Sequence, residues 1–234
     1  MAHDNADLMV RYARTGLWAV PVFAAALFAS TVTHQPPPQT DIADWSRYVT
    51  TNEFLFSHIV FSIGGAVFGA IGAVCLGIVL IELGSVRLGL WGLLSGLTAN
   101  VLGPSIFGIA AFAQPAIGRF YLAGHHDLAQ NLYYDAAQGT PMDAVAGIFV
   151  VLLAASFIVF GVAFARLPHQ PWLAGVGFAV SGALFAIVGV ALDNWVQSIA
   201  AALMTTSAVW MVVALRRTHE KPERFAEPVL TSES

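Results

Sequence analysis

The sequence predicts an all-α, polytopic membrane protein built as a bundle of six transmembrane helices, and three observations carry that prediction. Charged residues make up 10% of the chain and hydrophobic residues 57%, whereas soluble domains carry about a quarter charged residues. Six apolar runs reach the roughly 17 to 25 residues that cross a bilayer. Basic residues gather on alternate connections between those runs. A soluble core of this length would leave more apolar surface than its polar residues cover, but lipid accepts that surface.

Residues 1–15 are expected as a cytoplasmic N-terminus. The first apolar run, 16–32, lies in "RYARTGLWAVPVFAAALFAS", which has the basic start, apolar centre and small-residue end of a signal peptide. Asp4 and Asp7 sit in its charged region, and they favour retention as the first span. The next runs are 54–81, 88–113, 144–165, 172–192 and 195–215. If the N-terminus is inside, the inner flanks hold Arg11, Arg14, Arg87, Arg166, Arg216, Arg217, Lys221 and Arg224. That leaves only Arg47 and Arg119 of the ten basic residues outside. The asymmetry places both termini in the cytoplasm, for a chain in the cytoplasmic membrane of a bacterium. Residues 216–234 are polar, with two prolines, and read as a disordered cytoplasmic tail.

The inner connections are short and the outer ones are not. The first outer loop starts with three prolines, then places Ile42, Trp45 and Val49 at helical spacing, as in a short amphipathic helix. Thr50 with Glu53 reads as a capping box that starts the second span. The second outer loop, about 29 residues from Gln114, is too long to be structureless. Asp127 is the expected cap of a helix whose Leu128, Leu132 and Ala136 share one face. Two amphipathic lids are therefore expected on the outer side. Tyr48, Tyr121, Tyr133, Tyr134 and Trp195 would form an outer aromatic belt, and Trp91 and Trp172 an inner one.

The second run, "FLFSHIVFSIGGAVFGAIGAV", carries a stripe. His58 lies about 6 Å inside the outer boundary at 1.5 Å per residue, Ser62 follows one turn deeper, and Gly65, Gly69 and Gly72 continue the same face. Small residues at this spacing let helices approach closely in lipid, or they leave room for a flat ligand such as haem or a quinone. His58 is then a packing residue with one hydrogen bond, a metal or haem ligand, or a group that contacts substrate. In the third run Gly103 and Pro104 are expected to kink the helix and free the carbonyl of Asn100, so that Asn100 either satisfies itself locally or lines a polar pocket below His58.

The named ligand-lining candidates are His58, Ser62, Asn100, Asp193 and Gln197, with Asp143, His125 and His126 on the outer rim. His34 and His58 are the candidate haem or metal ligands, although no His-x-x-His or Glu-x-x-His spacing supports a metal site. A net charge of −4 with scattered basic residues excludes a nucleic-acid footprint. The single cysteine, Cys75, makes no intrachain disulfide and reads as a packing residue. The second and fifth runs also align without gaps, pairing Phe61 with Phe178, Gly65 with Gly182, Ala66 with Ala183, Phe68 with Phe185 and Gly72 with Gly189. That pattern fits a 3+3 inverted repeat.

These residues lead to one expectation and three rivals. The expectation is a lipid-embedded protein that binds a small, largely apolar molecule in an outward-facing pocket. A transporter or channel for a neutral solute requires a continuous polar path. A membrane enzyme requires a carboxylate such as Asp143 or Asp193 beside His58. A scaffold subunit, in a homo-oligomer or a larger membrane complex, requires an exposed glycine face.

Overall fold

A computed structural model describes residues 2–33, 41–137, 139–191 and 194–217, with side chains from residue 7 onward except at 137, 189–191 and 194. His34, Asp193 and residues 218–234 lie outside the described residues. Nine helices are assigned among the described residues: α1 (Ala2–Gly16), α2 (Ala19–Thr33), α3 (Ile42–Val49), α4 (Asn52–Glu82), α5 (Val86–Leu122), α6 (His126–Leu132), α7 (Thr140–Ala165), α8 (Trp172–Ala191) and α9 (Asn194–Arg217). Five helices are long and apolar enough to cross a membrane, namely Asp7–Thr33, α4, α5, α7 and Trp195–Arg217. The expected fifth span, 172–192, corresponds to α8, an apolar helix of 20 residues, Trp172–Ala191.

Several sequence expectations change at the helix ends. Residues 2–16 form a helix, which the polar N-terminus did not suggest. Thr51, not Thr50, caps α4: its hydroxyl accepts from the Phe54 N–H at 3.2 Å, while Thr50 closes α3. Asp41 caps α3 by accepting from the Asp44 N–H at 3.0 Å. This backbone hydrogen bond holds the Asp41 carboxyl below its ordinary range. The third span does not stop at 113 but runs through Pro115 to Leu122, making α5 37 residues long. At 1.5 Å per residue that is about 55 Å, well beyond a hydrocarbon core of about 30 Å. Pro104 lies inside α5 without ending it, and π-helical turns at Ile109–Ala113 absorb the missing donor of Pro115. Glycines close α4 and α5. Gly84 (φ 92°) and Gly124 (φ 91°) adopt the left-handed conformation that lets Ser85 N–H reach Leu80 O and His125 N–H reach Phe120 O.

The apolar helices form a closed ring in chain order. Each of α2, α4, α5, α7, α8 and α9 packs on the next, and α9 packs back on α2. Their inward faces make one continuous core that includes Phe23, Leu76, Leu153, Phe157, Phe164, Phe178 and Met204. Val67, Ile71, Leu94, Val151, Val180 and Leu203 point outward and stay exposed, as lipid-facing residues do.

Each end of the ring carries extra structure. At the cap end, α3, the last turns of α5 and α6 enclose a second core of Trp45, Val49, Phe54, Ile117, Ala129 and Tyr133. Trp45 meets Tyr133 edge-on at 4.7 Å. Of the face expected from Leu128, Leu132 and Ala136, only Leu132 is half-buried and the other two are exposed; Ala129 and Tyr133 enter the second core instead, and the helix starts at His126, ahead of Asp127. At the opposite, basal end α1 packs on α4. Arg14 bonds Glu82 of α4 at 2.6 Å and the Leu215 carbonyl of α9 at 3.2 Å, tying three helices together.

Candidate functional site

Toward the cap end, the ring encloses a cavity of about 290 Å³ to which all six helices contribute. α2 supplies Phe23, Leu27, Ser30 and Thr31, and α4 supplies His58, Ser62 and Ala66. α5 adds Asn100, Ile106 and Phe107; α7 adds Ala146, Phe149, Val150 and Leu153; α8 and α9 complete the wall with Phe185, Ala186 and Gln197. Four of the five candidates named from sequence therefore share one cavity: His58, Ser62, Asn100 and Gln197. Asp143 is exposed in the first turn of α7 and does not line it. His125 and His126 diverge, one ring against Phe120 and the other against Tyr121 at 4.4 Å, and both stay exposed.

His58 sits in a π-helical stretch, Ser57–Ile63, which directly follows the capped start of α4. Such stretches recur at functional sites because they re-aim side chains within an otherwise regular helix. The ring is buried, and its Nδ1 lies 2.8 Å from the Phe54 carbonyl. A carbonyl only accepts, so Nδ1 carries a proton and donates in this contact. Phe54 also stacks near the imidazole at 4.2 Å, and Tyr48 of α3 meets Phe54 at 5.4 Å. A line of aromatic contacts thus joins the cap to the cavity wall.

The polar lining is concentrated where α2 faces α4. Ser30 and Ser62 pair through their hydroxyls at 2.9 Å, Thr33 donates to Ser57 at 3.1 Å, and Ser57 donates to the Ser30 carbonyl at 3.3 Å. Thr31 returns its hydroxyl to the Leu27 and Phe28 carbonyls. On the helices flanking this strip, Asn100 of α5 donates to the Gly96 carbonyl at 2.8 Å, and Gln197 donates from α9 to the Phe185 carbonyl of α8 at 3.2 Å. Asn100 therefore satisfies itself one turn back along its own helix and still lines the cavity. Sequence reasoning missed Ser30 and Thr31, although their signal was the polar run "STVT" that ends the first apolar stretch.

The glycine stripe is packing. Gly65 faces Ala26 and Phe23 of α2, Gly72 faces Val20 and Ala19, and Gly69 lies directly under the Asn100 amide. All three are buried inside the protomer, so the exposed glycine face that a scaffold requires is absent here. Gly103 contacts Phe107 and Phe149. Cys75 is half-buried against Gly16.

Below Asn100 the lumen closes. A void of about 20 Å³ lies there, among Gly69, Gly72, Gly96 and the rings of Phe157, Phe160 and Phe178. That is room for one water. Phe157 stacks at 6.3 Å on Phe23 and meets Phe178 edge-on at 5.4 Å, which plugs the centre of the ring. Among the described residues, no group of three His, Cys, Asp or Glu side chains is placed to hold a metal ion. No protein-family model, curated protein or solved structure matches this chain.

Proposed function

We propose that this chain is a multi-pass protein of a bacterial cytoplasmic membrane, with both termini inside, that binds a small, mostly apolar molecule in its cap-end cavity. The observation that carries the reading is the division of the cavity wall. Phe, Leu, Ile, Val and Ala supply most of it, and one polar strip from α2 and α4 provides hydroxyls and an imidazole that can fix the orientation of a single polar group. A dry cavity of about 150 Å³ accepts benzene, so about 290 Å³ suits a molecule of roughly bicyclic size. A haem is several times larger than benzene and would have to displace lining side chains, so the cavity volume disfavours His58 as a haem ligand.

A carrier built on two inverted halves is the second reading. The ring sets α4 opposite α8, and Gly65 rests on α2 much as Gly182 rests on the Phe157 ring of α7. Phe68 is exposed, however, whereas Phe185 is buried, and the phenylalanine plug interrupts any through path in this conformation.

Native mass spectrometry of the detergent-purified chain tests binding, with an absorbance spectrum of the same sample. Wild type is expected to retain a small-molecule mass that Ala66→Phe, which fills the cavity from its wall, does not. Equal retention by both, or no retained mass in either, would refute cavity binding; a Soret band lost in His58→Ala would restore the haem reading.

A further inference from the structure

At the basal end a separate groove of about 310 Å³ opens between the α7–α8 turn and the last two turns of α9. His169, Gln170 and Pro171 form one wall, and Trp210, Val213 and Arg217 line the other. The turn is stiff. Pro168 and Pro171 bracket His169 and Gln170, and proline fixes its own φ while restricting the residue before it. His169 holds φ 62°, the only non-glycine residue with positive φ among the described residues. A strained residue between two prolines at the edge of a groove is an over-determined position.

The wall chemistry is graded along α9. Arg217 supplies a permanent positive charge at the polar end, with Arg216 beside it in the last turn. Two turns back, about 10 Å along the axis, Trp210 is 47% exposed on the outer surface of the bundle. Among the described residues no carboxylate lines the groove, and Glu82, at the same end, is already engaged by Arg14. Basic pockets between helices at a membrane surface accept anionic headgroups, and tryptophan settles at the headgroup level. A soluble anion would leave the Trp210–Val213 wall without a partner, whereas a lipid fills both halves.

We propose that this groove is a binding site for one anionic glycerophospholipid, with its phosphate at Arg217 and His169 and its first acyl carbons along Val213 and Trp210. The proposal is independent of the cap-end cavity.

The test uses the full chain, delipidated in detergent, with three probes: dioleoyl phosphatidylglycerol, dioleoyl phosphatidylcholine and inorganic phosphate. Native mass spectrometry reads lipid retention. Wild type is expected to retain phosphatidylglycerol over phosphatidylcholine, and Arg217→Gln to lose about tenfold in that preference, the effect of one charge-assisted contact. Arg217→Lys should keep most of it, and Arg87→Gln, at the same end but off the groove, all of it. Far-UV circular dichroism confirms that each variant is folded, and Trp210→Ala serves as the second probe if Arg217→Gln does not fold. Equal retention of both lipids, or a preference unchanged in Arg217→Gln, overturns the site. Full displacement of phosphatidylglycerol by millimolar inorganic phosphate overturns the lipid assignment in favour of a free-anion site.

Discussion

Gly69→Ala is a small change that the structure turns into a large one. A Cβ at residue 69 lands on the Asn100 amide, colliding with Oδ1 and approaching Nδ2 to 2.9 Å. The obstacle is a buried side chain held by its 2.8 Å bond to Gly96, not the tip of a flexible chain. To make room the amide must leave, which removes a buried hydrogen bond worth about 1–3 kcal/mol when a partner is stranded. Overpacking adds roughly 1–3 kcal/mol. Gly69→Ala is therefore expected to destabilise the bundle by about 2–6 kcal/mol, measured by denaturant titration in mixed micelles with tryptophan fluorescence. Asn100→Ala alone should cost only about 1 kcal/mol, because the Gly96 carbonyl keeps its backbone partner. In the double variant the clash is gone, so its loss should fall well short of the sum, with a coupling of about 1–3 kcal/mol. Additive losses, or a Gly69→Ala protein as stable as wild type, would show that Asn100 does not occupy the space over Gly69.

Three further outcomes follow from contacts at the two ends. Arg14→Gln should lower stability by about 1 kcal/mol in the same titration, since it removes the bonds from α1 to Glu82 of α4 and to the Leu215 carbonyl of α9; no change would mean the basal tie contributes nothing. Thr51→Ala should cost about 1 kcal/mol and raise amide exchange over the first turn of α4, whereas Thr50→Ala should leave that turn unchanged. Asp41 contributes to α3 through a carboxylate whose folded pKa is depressed. Its contribution is thus complete above the ordinary aspartate value of about 3.9 and is lost as pH falls through the lower folded value. The protection factor of the Asp44 amide should fall in acid in wild type and be independent of pH over that range in Asp41→Asn.

That each long apolar run forms a helix could be read from hydropathy, because lipid penalises unpaired backbone and leaves an apolar run one structural option. Which face of a run points inward could not be read the same way. α4, α7 and α8 are apolar all round, and nothing in their sequence says that Phe157 plugs the ring while Val151 meets lipid. Polar residues broke that degeneracy. His58, Ser62, Asn100 and Gln197 were legible as lining residues because an isolated polar group in an apolar run must face protein. Ser30 and Thr31 escaped notice because they lie at a span end, where solvated hydroxyls are ordinary. Two adjacent threonines made the α4 cap ambiguous, and the single-residue difference was settled by the turn that ends α3. The extension of α5 was hidden by Pro115, since a proline reads as a stop unless the preceding turns are wound loosely enough to spare its missing donor.

The ring closes through a contact between its first and last members, α2 and α9, while every other seam joins ring helices that follow one another in chain order, with α3 and α6 lying between two of the pairs. As the chain is synthesised, five of the six walls of the cavity are in place before α9 enters the membrane. Until then the polar strip of α2 and α4 faces an open side. The cavity's wall is completed by its last helix, so under the proposed binding function occupancy by a ligand would report completion of the protein.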